Sequence, residues 1–274
     1  MTTHFGLIII GDEILSGKRA DKHLPKVIEL LAARGLQLAY AEYVGDDPAR
    51  ITATLSRAFA AAHESGDVVF STGGIGATPD DHTRQCAAQA LGHELALHPE
   101  AKALIEERMR DIAKEQGVAF EPDRHDNVHR LNMGVFPVGA EIIPNPYNKI
   151  PGFTCQAGQG AVHFVPGFPV MAWPMMEWVL DQRYAFLHQK SAYIEKSVIV
   201  PGAIEATLTP LMLAIEAAHP GVKVFSLPSV DHPEFGRHIE LGVKGTPEAV
   251  SRAYPELMTG LSTFGLTLGP ELVR

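Results

Sequence analysis

Between the apolar run Val68-Val69-Phe70 and an alanine-rich stretch with helical character, the chain reads Gly73-Gly74-Ile75-Gly76-Ala77-Thr78-Pro79-Asp80-Asp81-His82-Thr83. A buried strand that hands over to a helix through three glycines narrows the folds open to the chain, because it makes a phosphate-binding geometry. Glycines let the backbone approach an anion, and the unpaired N–H groups at the helix start, aided by its dipole, point at negative charge. The residues that follow are acidic. Asp80 and Asp81 repel a phosphate unless a divalent cation lies between, so the local chemistry points to a phosphorylated ligand with a hard metal such as Mg²⁺.

Around this loop the pattern alternates. Phe5 to Ile10 reads as a fully buried strand, Asp21 to Arg34 as a helix closed by Gly35, and Leu38 to Val44 as a second strand. Pro48 to Glu64 reads as a helix with Asp47 as N-cap and Pro48 at the first helical position, and Val68 to Ser71 as the third strand. Strands and helices alternating at this length predict βαβ crossovers and a mostly parallel α/β sheet covered on both faces. Ligands of such sheets sit beyond the carboxyl ends of the strands. Those ends carry Gly11-Asp12-Glu13, Gly45-Asp46-Asp47 and the glycine loop, so three acidic groups are expected to converge on one edge. An uncompensated acidic cluster costs stability unless a cation or a catalytic role offsets it.

Further on, helices are predicted over Arg84 to Leu91 and Pro99 to Glu115, a polar, less regular segment over Gly117 to Leu131, and strands over Gly134 to Pro146 and Ala161 to Val165. Asn145-Pro146-Tyr147-Asn148-Lys149-Ile150-Pro151-Gly152 reads as a turn-rich loop, and Pro166-Gly167-Phe168-Pro169 as a break opening a helix from Val170 to Leu187. From Ser191 the order becomes strand (Ala192 to Val200), helix (Ala203 to Ala218), strand (Val222 to Leu227), strand (Gly236 to Val243), helix (Pro247 to Phe264). This βαββα order predicts a small α+β domain, an antiparallel sheet with helices on one face, over residues 189–274 beside a larger domain over 1–188.

The 274 residues, 46% of them apolar, suffice for a full core. A formal charge of −9 argues against nucleic acid and anionic membranes as partners, since both call for a basic face. Two cysteines, Cys86 and Cys155, fit a reducing compartment and exclude a disulfide framework. With a short first apolar run followed at once by Asp12 and Glu13, the expected home is the cytoplasm.

At this point the residues carry a family resemblance. GDEILSGKRAD (Gly11 to Asp21), VGDD (Val44 to Asp47), STGGIGATPDDHT (Ser71 to Thr83) and VPGFP (Val165 to Pro169) resemble, in order and approximate spacing, the molybdenum-cofactor biosynthesis domain of the MoaB/Mog type. The resemblance is closer to the N-terminal region of the CinA group and to the molybdopterin-binding-like domain of FAD synthases, and covers Phe5 to Leu187. It implies a three-layer sandwich whose pocket receives a pterin or adenine nucleotide through its phosphates, and a homo-oligomer. The activities it implies are cleavage of a nucleotide pyrophosphate such as ADP-ribose or a dinucleotide, or adenylyl transfer to molybdopterin, with Mg²⁺, Mn²⁺ or Co²⁺. A non-catalytic module binding a molybdopterin-like or nucleotide ligand is the rival. Carried across by motif, Asp81 and Asp46 hold the cation or orient a water, with Asp80 a weaker ligand. Gly73, Gly74, Gly76, Thr78 and Thr83 contact phosphate, while Gly11, Asp12 and Glu13 shape the pocket floor. The chain departs from the family at His23 (Asn expected), Ala77 (Pro expected), Val170 (an acidic residue expected) and in NPYNKIPG, which lacks a Gly-Thr-Ala core. A changed substrate and a remnant site both stay open.

Simpler readings stand beside these. Asp47 is most simply a helix cap, and Asp80 a carboxylate favoured by a helix dipole. The loop fails the dinucleotide fingerprint because Pro79 replaces its third glycine, and it has no P-loop lysine. His125 and His129, four apart in HDNVH, are spaced to meet on a helix, yet the Glu of a zinc-protease motif is absent and they read as surface histidines. Lys18 and Arg19 read equally as phosphate ligands or solvated charges. Met171, Trp173, Met175, Met176 and Trp178 read as core or a subunit contact.

Overall fold

In the computed structural model, residues 3–188 and 194–274 are described. The chain divides into two compact units, Met1–His188 and Gln189–Arg274.

The larger unit opens with β1 (Phe5–Ile10), α1 (Asp12–Leu15), α2 (His23–Ala32), β2 (Leu38–Val44), α3 (Pro48–Ser65), β3 (Val68–Thr72) and α4 (Thr83–Leu91). It continues with β4 (Leu95–Leu97), α5 (Pro99–Glu115), α6 (His125–Leu131), β5 (Val135–Pro137), β6 (Glu141–Ile143), β7 (Gly152–Ala157), β8 (Gly160–Val165) and α7 (Pro169–Arg183). Six strands form one sheet in the order β2-β1-β3-β8-β7-β6. The first four run parallel, whereas β7 lies antiparallel to β8 and β6 antiparallel to β7. β4 and β5 pair separately.

The unbroken apolar run of β1 is explained by what covers it. Phe5, Leu7 and Ile9 pack with Val27, Leu30 and Leu31 of α2 and with Met175, Met176 and Val179 of α7. Ile8 and Ile10 point the other way, against Ile51, Leu55 and Phe59 of α3 and Cys86 and Ala87 of α4. A strand buried on both faces needs no alternation, and the result is three layers. The methionine and tryptophan stripe of α7 is core, with Met175 and Met176 fully buried and Met171, Trp173 and Trp178 packed at its edge.

Local chemistry sets the helix ends. The Asp47 carboxylate accepts the N–H of Arg50 at 2.8 Å, Pro48 occupies the first turn, and Gly66 closes α3 in the left-handed region at φ 73°. Asp21, expected inside the following helix, stands just before it, and its carboxylate accepts the N–H groups of His23 (2.8 Å) and Leu24 (3.0 Å).

Several sequence expectations need correction. The 145–152 loop is followed by β7, and the strand expected over 134–146 is two short strands broken by the turn at Gly139. A helix, α6, occupies part of the segment expected to be irregular.

The smaller unit comprises β9 (Ile194–Pro201), α8 (Glu205–Ala218), β10 (Lys223–His232), β11 (Gly236–Gly245), α9 (Pro247–Ser262) and β12 (Glu271–Val273). Its antiparallel sheet has the order β10-β11-β9-β12. Val198, Val200, Ile239, Leu241 and Val243 alternate along β9 and β11 toward Leu208, Val250 and Leu257 of the helices. The sequence order βαββα holds, with β12 added. Ala192 and Tyr193, where the first of these strands was expected to begin, lie outside the described residues.

Candidate functional site

Parallel pairing brings the carboxyl ends of four strands to one edge. Ile10 is in register with Val44, Ile9 with Thr72, and Thr72 with Val165. The segments that follow line a cavity of about 740 Å³, to which Gly11, Glu13 and Asp46, the glycine loop, and Gly167 and Phe168 all contribute. Gly73, Gly74, Gly76, Thr78, Asp80 and Asp81 all contribute to its wall. Asp46 and Asp81, distant in sequence, thus face one space.

The glycine loop has its shape for identifiable reasons. Gly73 and Gly74 take φ values of 95° and 66°, and a Cβ on Gly73 would overlap the carbonyl of Ile10. The Gly73 N–H donates to the Val165 carbonyl at 3.1 Å, and the Thr83 N–H to the Gly74 carbonyl at 3.0 Å. Among the described residues, the N–H groups of Gly74, Ile75, Gly76 and Ala77 have no hydrogen-bond partner in the protein. Four consecutive free amides of this kind suit an anion.

Of the expected phosphate contacts, Thr83 is turned away from the cavity and Thr78 is engaged within the loop. Thr83 is completely buried and absent from the cavity wall, and its hydroxyl donates to the Gly73 carbonyl at 3.1 Å. Thr78 lines the cavity, but its N–H (2.8 Å) and hydroxyl (2.6 Å) both donate to Asp81 Oδ2. Asp81 therefore latches the loop through one oxygen. Its Oδ1 is not part of that latch.

Arg84, which the sequence reading passed over, is 4% exposed, and its Nη1 donates to the carbonyls of Ile75 and Gly76. Turning those carbonyls inward leaves the neighbouring N–H groups for the other side. Burial lowers the Arg84 pKa, with the nearby Asp81 carboxylate opposing that shift. No pattern in the sequence marks this arginine as buried, since one charge in the first turn of a helix ordinarily faces water.

The acidic residues group differently from the expected trio of Asp46, Asp80 and Asp81. Asp12 and Asp46 bond reciprocally, the Asp12 N–H to Asp46 Oδ2 at 2.8 Å and the Asp46 N–H to Asp12 Oδ1 at 3.2 Å. Asp12, Glu13, Asp46 and Asp80 line one cleft beside the main cavity. Burial raises the Asp46 pKa; the bond from Asp12 opposes this, and the charges of Asp12, Glu13 and Asp80 add to it. Among the described residues, no three His, Cys, Asp or Glu side chains are grouped to hold a metal ion by themselves. The donors that are present, hard carboxylate oxygens beside free amides, fit a cation of the Mg²⁺ type, which keeps several waters and takes one or two carboxylates together with ligand phosphates. Asp46 would hold it, with Asp80 or Asp81 Oδ1 completing the set.

The segments that depart from the resemblance, around Asn145 to Gly152 and His23, are held by internal bonds. Asn145 is buried, its Nδ2 donating to Asn148 Oδ1 (2.8 Å) and the Ile150 carbonyl (2.9 Å), while its Oδ1 accepts the Tyr147 N–H at 3.0 Å. Lys149, at φ 65°, reaches Glu107 and Asp111 of α5, both at 2.6 Å. His23 Nε2 lies 3.0 Å from the Gly167 carbonyl, tying α2 to the segment before α7. Phe168 is half-exposed at the rim with the Arg19 guanidinium 5.8 Å from its ring centre, and Met133, Ile150, Pro151 and Met171 make the cavity apolar nearby. The lining thus combines an aromatic ring and apolar side chains with free backbone amides.

Comparison with known proteins agrees with this architecture. A family described as a probable molybdopterin binding domain matches residues 6–189. A CinA-like protein of Anaeromyxobacter dehalogenans is 33% identical over 262 residues, covering 94% of this chain and 59% of its own length. A protein of Thermoplasma volcanium is 29% identical over 222 residues, covering 81% of this chain and 79% of its own. The crystal structure of the protein CinA, of unknown function, from Thermoplasma acidophilum superposes with a TM-score of 0.53 at 28% identity, over 66% of this chain and 98% of that one. The chain thus spans less than two thirds of the length of the first of these relatives. With the glycine loop, the acidic strand ends and the three-layer sheet inside the matched span, the chain belongs to the family of probable molybdopterin binding domains and is similar to CinA-like proteins.

Proposed function

We propose that the cavity binds a nucleotide or pterin phosphate together with a divalent cation, and that the protein hydrolyses a nucleotide pyrophosphate there. The observation that carries this reading is the row of free N–H groups at Gly74, Ile75, Gly76 and Ala77, residues that line the same cavity as Asp46. Displacement at phosphorus requires charge neutralisation and in-line positioning more than a covalent nucleophile. The amides hold phosphate oxygens. Asp46, whose basicity is increased by burial and by its acidic neighbours, either holds the cation or, with Asp80 and Asp81 Oδ1 left to the cation, orients the attacking water and accepts its proton. A bound Mg²⁺, Mn²⁺ or Co²⁺ ion supplies charge neutralisation at the phosphates. Phe168 and Arg19 hold the base or pterin ring. Adenylyl transfer to molybdopterin uses the same parts and differs in the acceptor.

A second reading, ligand binding without turnover, is favoured by two observations. Asp81 is engaged with Thr78, and no three-ligand cluster stands ready among the described residues. Incubating the purified chain with ADP-ribose, FAD and NAD, each with Mg²⁺, Mn²⁺ or Co²⁺, and separately with ATP and molybdopterin, tests both. Released mononucleotide supports hydrolysis, an adenylylated pterin supports transfer, and saturable binding with neither product favours the binding module.

A further inference from the structure

Helix α6 carries His125 and His129 one turn apart, both exposed, with their Nε2 atoms 3.2 Å from each other. Their ring centres lie 4.3 Å apart and the planes meet at 68°. At that separation the two nitrogens share either a hydrogen or a cation. The ligand-to-ligand edge is about 3.3 Å for a tetrahedral ion with bonds near 2.0–2.1 Å, and about 2.9 Å for a square-planar one. The observed spacing lies between these two values.

The neighbourhood holds the pair in place without competing for it. Asp126, which lies between them in sequence, is turned to Arg124 in a bidentate pair at 2.6 and 2.9 Å and to Arg130 at 3.5 Å. Asn127 anchors the helix, its Nδ2 donating to the Glu121 carbonyl at 2.7 Å and its Oδ1 accepting from Arg130 at 2.8 Å. A braced backbone lowers the ordering cost of bringing two imidazoles to one ion. Among the described residues no third His, Cys, Asp or Glu completes a cluster, so the remaining coordination positions open to water.

We propose that His125 and His129 form a two-histidine site for a divalent ion of the zinc, nickel and copper class, separate from the carboxylate-lined cavity and independent of its activity. Imidazole nitrogen selects these borderline ions over Mg²⁺, which prefers oxygen. Binding requires both rings neutral, so protons compete with the metal.

The test titrates Zn²⁺ and Ni²⁺ into the metal-stripped full chain by calorimetry under saturating Mg²⁺, and follows Ni²⁺-induced broadening of histidine proton resonances. The expected result is one saturable event, with broadening centred on His125 and His129. Binding weakens by at least about tenfold in His125→Gln and in His129→Gln, because either change removes the intramolecular second ligand. Circular dichroism verifies that both variants stay folded, and Asp46→Asn leaves the event unchanged. Absence of binding, survival of the same event in the double Gln variant, or its loss in Asp46→Asn would overturn the proposal.

Discussion

Asp12 and Asp46 hold each other by reciprocal bonds, each carboxylate accepting the other's backbone N–H, at 2.8 and 3.2 Å. This clasp joins the end of β1 to the end of β2 and leaves Asp46 at the edge of the cavity. Asp46→Asn keeps an oxygen for the Asp12 N–H and removes the charge. Pyrophosphate hydrolysis is expected to fall by about 10²-fold or more, measured as initial rates with each metal. The folded Asp46 carboxyl titrates above its ordinary value of 3.8, so it opposes folding once pH exceeds its folded pKa, and that penalty vanishes below the unfolded value. The variant is therefore expected to melt no lower than the wild type at neutral pH. Stabilisation of the wild type by Mg²⁺ is expected to shrink in the variant.

Arg84→Met leaves the carbonyls of Ile75 and Gly76 without their buried donor. A loss of about 2–3 kcal/mol in unfolding free energy is expected from urea titration, together with weaker nucleotide binding. Unchanged stability would remove Arg84 from the account of the loop.

Gly74→Ala forces a side chain into the left-handed region, with its Cβ overlapping Thr83 Oγ1. The expected cost exceeds about 1 kcal/mol. Fluorescence titration with a nucleotide should show affinity falling along with the melting temperature.

Phe168→Ala separates ligand binding from folding, because Phe168 is 55% exposed and lies at the rim. A rise in KM of about tenfold, as for a lost base–aromatic stack, is expected with kcat and melting temperature unchanged. A normal KM would place the ring elsewhere.

His163 offers a pH test away from the site. It is fully buried between Thr154 and Tyr184, both 2.8 Å from its ring nitrogens, and burial pushes its pKa down from 6.5 to about 3. Between those values the unfolded chain binds the proton and the folded one does not, so the stability this group supports is complete above the unfolded value and is lost as pH falls. The expected slope is about 1.4 kcal/mol per pH unit through that window. Urea titrations should show a shallower dependence for His163→Gln.

The elements readable in the sequence were those whose burial matches their composition. β1, β2 and α5 stand where the apolar run Phe5 to Ile10 and the expected spans Leu38 to Val44 and Pro99 to Glu115 place them. β7 was missed because Pro151 and Gly152 signal a break while the strand relies on Phe153 and Cys155 for its core. At the site, the loop and its acidic partners were legible from strand ends alone. The inward turn of Thr83, the burial of Arg84 and the pairing of Asp46 with Asp12 were not, since each depends on backbone geometry that only the assembled sheet creates.

The 145–152 loop has its own consequence. Asn145 and Asn148 keep it in shape through bonds made within the loop, and Lys149 moors it to α5. That wall stands ready before any guest arrives, so differences in affinity among guests should show up in how long they stay rather than in how fast they enter.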